Sequence, residues 1–437
     1  MASTRRPNVV VFFTDQQRWD TIGAYGSPLD LTPNLDRLAA RSVRFERAFT
    51  CQPVCGPARA SLQTGLYAAA TGVFRNGEAL PEDADTLARR FGAAGYRTGY
   101  IGKWHLSGTR DRPAPANLRG GYDHWIASDV LEFTSHPYEG HLFDADDRPV
   151  EFTGWRSDFL TEKALEFIDA GDGPFFLFVS YIEPHFQNDM ERFVAPDGYA
   201  ARYARAHVPP DLAALPGDWM SELPDYYGMI ARLDENLETL LAHLDARGLT
   251  DETIVLFMSD HGCHFRTRNA EYKRSCHDSS IRIPMVLAGP GLDRRLVVPE
   301  VVSLVDVPPT LLAAAGVEAP AAMHGRSMLP LLDRRTDDWP EEAFLQISES
   351  EVGRCIRTAR WTYSVYAPDG DGWEDPASDR YVERYLYDNF ADPHQLVNLV
   401  GRRTHRHVAD ELRGRLIARI AAAGEMPPTI DPAAFYA

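Results

Sequence analysis

The chain has 437 residues, 44% of them hydrophobic and 25% charged, which is the profile of a folded protein and not of a disordered tail. That length exceeds one ordinary core and predicts a large domain with a smaller one attached. The net charge of −18 argues against nucleic acid and anionic membranes as partners, and it requires any anionic substrate to meet positive charge concentrated at the site itself.

No run approaches the ~20 apolar residues of a membrane span. Residues 1–7 lack the apolar core of a secretion signal, so a cytoplasmic protein is expected. The cysteines Cys51, Cys55, Cys263, Cys276 and Cys355 are odd in number and contain no C-x-x-C pair, which argues against a disulfide framework and a zinc site.

In chain order, Asn8–Thr14 is a short apolar run that ends at Asp15 and predicts a first core strand. Thr32-Pro33-Asn34-Leu35-Asp36 begins a helix, with Thr32 as N-cap and Pro33 at the first position. A second helix runs through residues 85–91 and is closed by Gly95. Further buried parallel strands are predicted at 97–102, 175–181, Thr253–Ser259 and 281–288, with a long amphipathic helix at 226–244. Alternating strands and helices predict an α/β fold with a mainly parallel central sheet flanked by helices. After about residue 335 the pattern changes. Residues 335–340 read as a linker. Short antiparallel strands at 344–347, 354–358 and Trp361–Tyr366, then a helix at 408–422, predict a smaller C-terminal α+β subdomain. The expected division is 1–335 and 336–437.

Polar residues gather just past the predicted strand ends: Asp15 and Gln16, Lys103 and His105, Glu183 and His185, Asp260 and His261. Ligands of open α/β sheets bind outside the carboxyl ends of the strands, so four strands would deliver acids, bases and cations to one edge. A lone Asp after a strand is more often a turn or helix cap; the grouping gives these residues weight.

The sharpest motif is Cys55-Gly56-Pro57-Ala58-Arg59, continued by Ala60-Ser61-Leu62-Gln63-Thr64-Gly65. It matches the C-x-P-x-R…TG signature of sulfatases and opens a predicted helix. With Phe13–Gln17, Thr32–Asp36, Gly102-Lys103-Trp104-His105-Leu106, Glu183-Pro184-His185 and Ser259-Asp260-His261-Gly262, it resembles the sulfatase family of the alkaline phosphatase superfamily over nearly the whole chain. Lys273 ahead of Ile281-Arg282-Ile283-Pro284, and Leu386-Tyr387-Asp388 with Asp392-Pro393-His394-Gln395, continue the resemblance in order.

The resemblance implies a type I sulfatase, a sulfuric ester hydrolase whose motif cysteine, here Cys55, is oxidised to formylglycine by a maturation enzyme. The hydrated aldehyde at a helix N-terminus would be an oxygen nucleophile for sulfur. The implied metal ligands are Asp15, Gln16, Asp260 and His261, with the modified Cys55 completing the shell. Calcium is the default cation. The more familiar family pattern has Asp where Gln16 stands and Asn where His261 stands; the nitrogen ligand leaves manganese or magnesium open. Arg59, Lys103 and Lys273 would hold the sulfate, with Arg59 also holding the modified Cys55. His105 would deprotonate the second hydroxyl and His185 would protonate the departing oxygen.

The expected substrate is a sulfate ester of a small molecule or oligosaccharide, with carbohydrate favoured. Two rivals remain: a phosphonate monoester or phosphodiester hydrolase of the same superfamily, and a non-catalytic, metal-bearing sugar binder whose Cys55 stays unconverted. His264, Arg266, Arg268 and Arg274 form a basic cluster beside Lys273, read either as a solvated loop or as a pocket for a second anionic group. Cys263, Cys276 and Cys355 are expected to be ordinary thiols, and Trp104 to pack.

Overall fold

Eleven strands of the computed structural model, which describes residues 6–435, form one large sheet. They are β1 (Asn8–Thr14), β2 (Val43–Phe49), β3 (Arg97–Lys103), β4 (His124–Ser128), β5 (Glu139–Phe143), β6 (Pro149–Thr153), β7 (Phe175–Ser180), β8 (Thr253–Ser259), β9 (Arg282–Ile283), β10 (Met285–Ala288) and β11 (Leu296–Ser303). The order is β11-β2-β10-β8-β1-β7-β3-β4-β5-β6, with β9 on β2. The block β8-β1-β7-β3-β4 is parallel throughout. Every residue of β1 is buried, because helices cover both faces of the sheet; this is why the run is continuously apolar and not alternating.

Residues 281–288 do not form one parallel strand as expected. Ile281 closes a helical turn (Asp278–Ile281), and Pro284, which has no N–H to donate, separates β9 from β10. Both pair antiparallel, β9 with β2 and β10 between β2 and β8. The hairpin β5–β6 and the strands β2 and β11 carry partly exposed residues and were not anticipated from apolar runs.

A second sheet of five strands follows: β12 (Glu342–Ile347), β13 (Gly353–Thr358), β14 (Trp361–Tyr366), β15 (Arg380–Asp388) and β16 (Thr429–Asp431). The first four pair antiparallel. The helix Arg406–Ala422 buries Leu412, Leu416 and Ile420 against Phe344, Ile356, Tyr363 and Leu386 of this sheet. The fold is therefore α/β with a smaller C-terminal α+β part, as expected. The small sheet also braces the segment before Cys55: Gln346 N donates to the Cys51 carbonyl at 2.9 Å, and Gln52 Nε2 donates to Ser348 Oγ at 2.7 Å.

Thr32 occupies the N-cap position of the helix Pro33–Arg41, but its hydroxyl does not cap it. The capping acceptor is Asp234 on the long helix Trp219–Ala246, whose carboxylate accepts from Asn34 N at 2.9 Å and Leu35 N at 2.8 Å. Two of the orphan N–H groups of the helix start are thus satisfied by a neighbouring helix. At pH 7, where Asp234, pushed up to about 6 by burial, is ionised, Asp234→Ala is expected to destabilise the protein by ~2 kcal/mol. The check is a lowered urea midpoint with unchanged specific activity at low denaturant.

Candidate active site

The adjacent strands β8, β1, β7 and β3 end together, and the residues past their carboxyl ends converge. Asp15 and Gln16 follow β1, His185 follows β7, Asp260 and His261 follow β8, and Lys103 closes β3 with His105 two residues on. Two glycines permit this closure. At Gly102 (φ +110) a Cβ would sit 2.0 Å from the Ser180 carbonyl oxygen, and at Gly262 it would sit 2.2 Å from that of Ser279. Cys55 is the first residue of the helix Cys55–Thr64, and Lys273 arrives on the loop after β8. Every predicted catalytic and metal residue is at most 9% exposed.

Asp15, Cys55, Asp260 and His261 offer ligand atoms that all lie within 4.8 Å of one another. Cys55 Sγ is 3.4 Å from Asp15 Oδ1 and 3.3 Å from His261 Nε2. Asp260 Oδ1 accepts from Gln16 N at 3.0 Å and His261 N at 2.8 Å, while its Oδ2 is buried with no hydrogen-bond partner. His261 Nδ1 bonds the Gly262 carbonyl at 2.9 Å. A carbonyl only accepts, so Nδ1 carries the proton and Nε2 presents its lone pair to the centre. Burial, and next the neighbouring Asp15 carboxylate, push Asp260 up to about 6. An orphaned buried oxygen, an imidazole lone pair and two mutually repelling carboxylates fit a divalent cation.

Positive charge surrounds the same point. Arg59 Nη2 donates to Asp15 Oδ2 at 2.9 Å, and its Nη1 holds the Lys103 carbonyl at 2.7 Å and Ser180 Oγ at 2.6 Å. Lys103 Nζ lies 3.0 Å from Asp15 Oδ2 and 3.4 Å from Glu132 Oε2. Lys273 Nζ lies 2.8 Å from Cys55 Sγ, 3.1 Å from His185 Nε2 and 3.4 Å from Gln16 Oε1. Burial and the Cys55 thiolate oppose ionisation of Asp15, yet Lys103, His185 and Arg59 hold it below the usual carboxylate range. Burial also opposes the Cys55 thiolate, but the positive charges of Lys273 and Lys103 outweigh it and lower the thiol pKa well below its ordinary value. His185 Nδ1 bonds the Phe186 carbonyl at 2.6 Å, which leaves Nε2 to face Lys273; burial, then Lys273 and Lys103, lower its pKa.

These groups open into a cavity of about 320 Å³ whose wall includes Gln16, Cys55, His105, His185 and Lys273. Its other walls were not legible in the motifs: Arg110, Glu132 and Phe133 after β3 and β4, and Trp373 from the loop before β15. Glu132 is the charge partner of Lys103, and Asn76 accepts from Gly56 N at 2.9 Å.

The basic cluster is mostly committed to structure, against the reading as an anion pocket. Arg268 donates to the carbonyls of His394 and Gln395 at 2.7 and 2.8 Å, and Arg266 lies 3.4 Å from Asp218 over the Tyr272 ring. Arg274 is paired with Glu271 and Glu349, and buried His264, its pKa pushed down to about 3, bonds the Lys273 carbonyl. Of the four, only Arg274 reaches the catalytic cavity. Cys263, Cys276 and Cys355 are buried free thiols, and Trp104 is fully buried.

A family model described as sulfatase matches residues 7–317, and a second, described as N-sulphoglucosamine sulphohydrolase, C-terminal, matches residues 270–422. The chain belongs to the sulfatase family. It is thereby a sulfuric ester hydrolase of the alkaline phosphatase superfamily. An ulvan-active sulfatase of Formosa agariphila is 32% identical over 96% of this chain and 82% of its own length. An N-acetylglucosamine-6-O-sulfatase of Bacteroides thetaiotaomicron is 25% identical over 94% of this chain and 85% of its own. A crystal structure named for the sulfatase yidJ of Bacteroides fragilis superposes with a TM-score of 0.83 at 26% identity, covering 97% of each chain. No helix among the described residues is long and apolar enough to cross a membrane.

Proposed function

We propose that this sulfatase hydrolyses a carbohydrate sulfate monoester, R–O–SO3⁻ + H2O → R–OH + SO4²⁻ + H⁺, with a nucleophile made from Cys55 by a formylglycine-generating enzyme. The observation that carries the reading is the position of Cys55. It heads a helix at the floor of the cavity, with its sulfur 2.8 Å from Lys273 Nζ and 3.4 Å from Asp15 Oδ1. The sulfur stands in for the oxygens of the hydrated aldehyde. That group supplies one oxygen to attack sulfur and a second hydroxyl whose deprotonation lets sulfate leave.

A divalent cation would be held by Asp15, Gln16, Asp260 and His261 with the modified Cys55, and would supply Lewis-acid activation of the nucleophile and of a sulfate oxygen. Carboxylate and amide oxygens suit calcium; the His261 nitrogen makes manganese or magnesium the alternatives. Arg59 orients Asp15 and, through the Lys103 carbonyl, the end of β3. Lys103 and Lys273 meet the sulfate oxygens with positive charge. His105, which lines the same cavity wall as Cys55, takes the proton of the second hydroxyl. His185 Nε2 and Lys273 Nζ, 3.1 Å apart, pass a proton to the departing sugar oxygen. The names of the ulvan-active and N-acetylglucosamine-6-O-sulfatase relatives support a carbohydrate substrate.

Lys103→Ala and Lys273→Ala are each expected to slow turnover by ~10²–10³-fold, the loss of a few kcal/mol of transition-state stabilisation. Unchanged kinetics per folded molecule would make both lysines structural. The reading as a whole is tested by sulfate release from a panel of defined sulfated sugars, run beside 4-nitrophenyl sulfate and a phosphate diester. Preference for a sulfated sugar supports it. Preference for the diester would transfer the site to phosphodiester or phosphonate chemistry.

A further inference from the structure

The catalytic cavity continues past Lys273. Through Arg110, Glu132 and Phe133 it adjoins a second cavity of about 450 Å³, lined further by Asp111, His136, His141 and Asp189. Glu132 is already engaged, with Lys103 Nζ and with Asn188 Nδ2, which donates to it at 3.3 Å. His136 and Asp189 pair with each other at 2.8 Å. Arg110 is different. It is exposed, it has no carboxylate partner among the described residues, and its guanidinium rests over the Phe133 ring at 5.0 Å. Phe133 is itself 44% exposed. Each member of the basic cluster near Lys273 is tied to at least one carbonyl or carboxylate, whereas Arg110 has no carboxylate partner among the described residues.

The backbone holds Arg110 at this junction against its preference. Its φ is +63°, a left-handed conformation that non-glycine residues disfavour. Asp129 stabilises it: Oδ2 accepts from Arg110 N at 2.9 Å and Oδ1 from Ser107 N at 2.9 Å, while the Asp129 carbonyl accepts from His105 N at 2.7 Å. The bracket that positions His105 therefore also fixes where Arg110 emerges.

We propose that Arg110 and Phe133 form a subsite for a second anionic group of the substrate, a carboxylate or another sulfate, carried on a sugar ring that lies against Phe133. The proposal rests on the reading of Cys55 as the point of sulfate cleavage and specifies the substrate as a polyanionic saccharide. An unpaired guanidinium offers a planar fork to carboxylate or sulfate oxygens. The adjoining cavity leaves room for the ring that bears them. Asp111, the next residue, is also exposed, so anion preference at this rim depends on Arg110; without it the rim repels.

The test uses the formylglycine-bearing protein with 4-nitrophenyl sulfate as chromogenic substrate. The competitors are N-acetylglucosamine 6-sulfate, N-sulfoglucosamine 6-sulfate and a monosulfated disaccharide carrying a uronate carboxylate. In the wild type, at least one doubly anionic competitor should bind ~10–100-fold more tightly than the singly anionic one, the value of one charge-assisted contact. Arg110→Gln should erase that ratio and Arg110→Lys should keep part of it. Which competitor responds distinguishes sulfate from carboxylate. A wild type without the preference, or an Arg110→Gln protein that keeps it, overturns the subsite while continued hydrolysis of the aryl sulfate leaves the catalytic reading intact. Failure of the wild type to cleave 4-nitrophenyl sulfate at all overturns the catalytic reading and the subsite with it.

Discussion

Asp260→Asn is expected to lower turnover by at least ~10³-fold and to strip the protein of its divalent cation, with the fold retained. Asparagine keeps an oxygen to accept from Gln16 N and His261 N, the two bonds made by Oδ1. What it loses is the charge and the orphaned Oδ2. Because burial and Asp15 push Asp260 up to about 6 in the absence of a cation, the folded protein disfavours this carboxylate, and removing the charge relieves that cost. Activity and stability should therefore move apart: turnover and bound metal collapse while the melting temperature of the metal-free protein holds or rises. Near-normal turnover with normal metal content would remove Asp260 from the centre.

The second large effect concerns Cys55. Cys55→Ser is expected to stop after one attack and to accumulate a sulfate ester on the serine in a stoichiometric amount. A serine carries one hydroxyl where the hydrated aldehyde carries two. The first hydroxyl can displace the sugar from sulfur, helped by the same Lys103 and Lys273 charges. With no second hydroxyl for His105 to deprotonate, the C–O bond to the bound sulfate cannot break by collapse to an aldehyde. Mass spectrometry of the variant after incubation with 4-nitrophenyl sulfate reads the adduct directly. Sustained multiple turnover would contradict the two-hydroxyl exit.

Much of this site could be read from order and residue type alone. The ends of β1, β3, β7 and β8 are abrupt transitions from Val, Ile and Phe to Asp, Lys and His, and in a parallel sheet such transitions fall on one edge. Cys55 and Arg59 were legible through one short motif at a helix start. The less legible parts share a physical cause: each depends on a partner far away in the chain. The direction of β10 is set by its neighbours β2 and β8, and an apolar run carries no direction. The carboxylate that caps the helix Pro33–Arg41 comes from residue 234, about two hundred positions later. The arginines after His264 looked like free positive charge because the carbonyls of His394 and Gln395 and the carboxylate of Glu349 that occupy them lie in the C-terminal part. Arg110, which lines the cavity and has no carboxylate partner among the described residues, stands outside that cluster in a segment whose composition gives no signal.

The central claim is that the nucleophile derives from Cys55, and the most direct measurement relates its conversion to turnover. Protein should be produced with and without a formylglycine-generating enzyme, the Cys55 peptide quantified by mass spectrometry for cysteine and formylglycine, and sulfate release from 4-nitrophenyl sulfate measured on each preparation. Turnover per molecule should rise in proportion to the formylglycine fraction and extrapolate to zero where Cys55 is wholly unconverted. Equal turnover by protein that retains the Cys55 thiol would contradict the assignment.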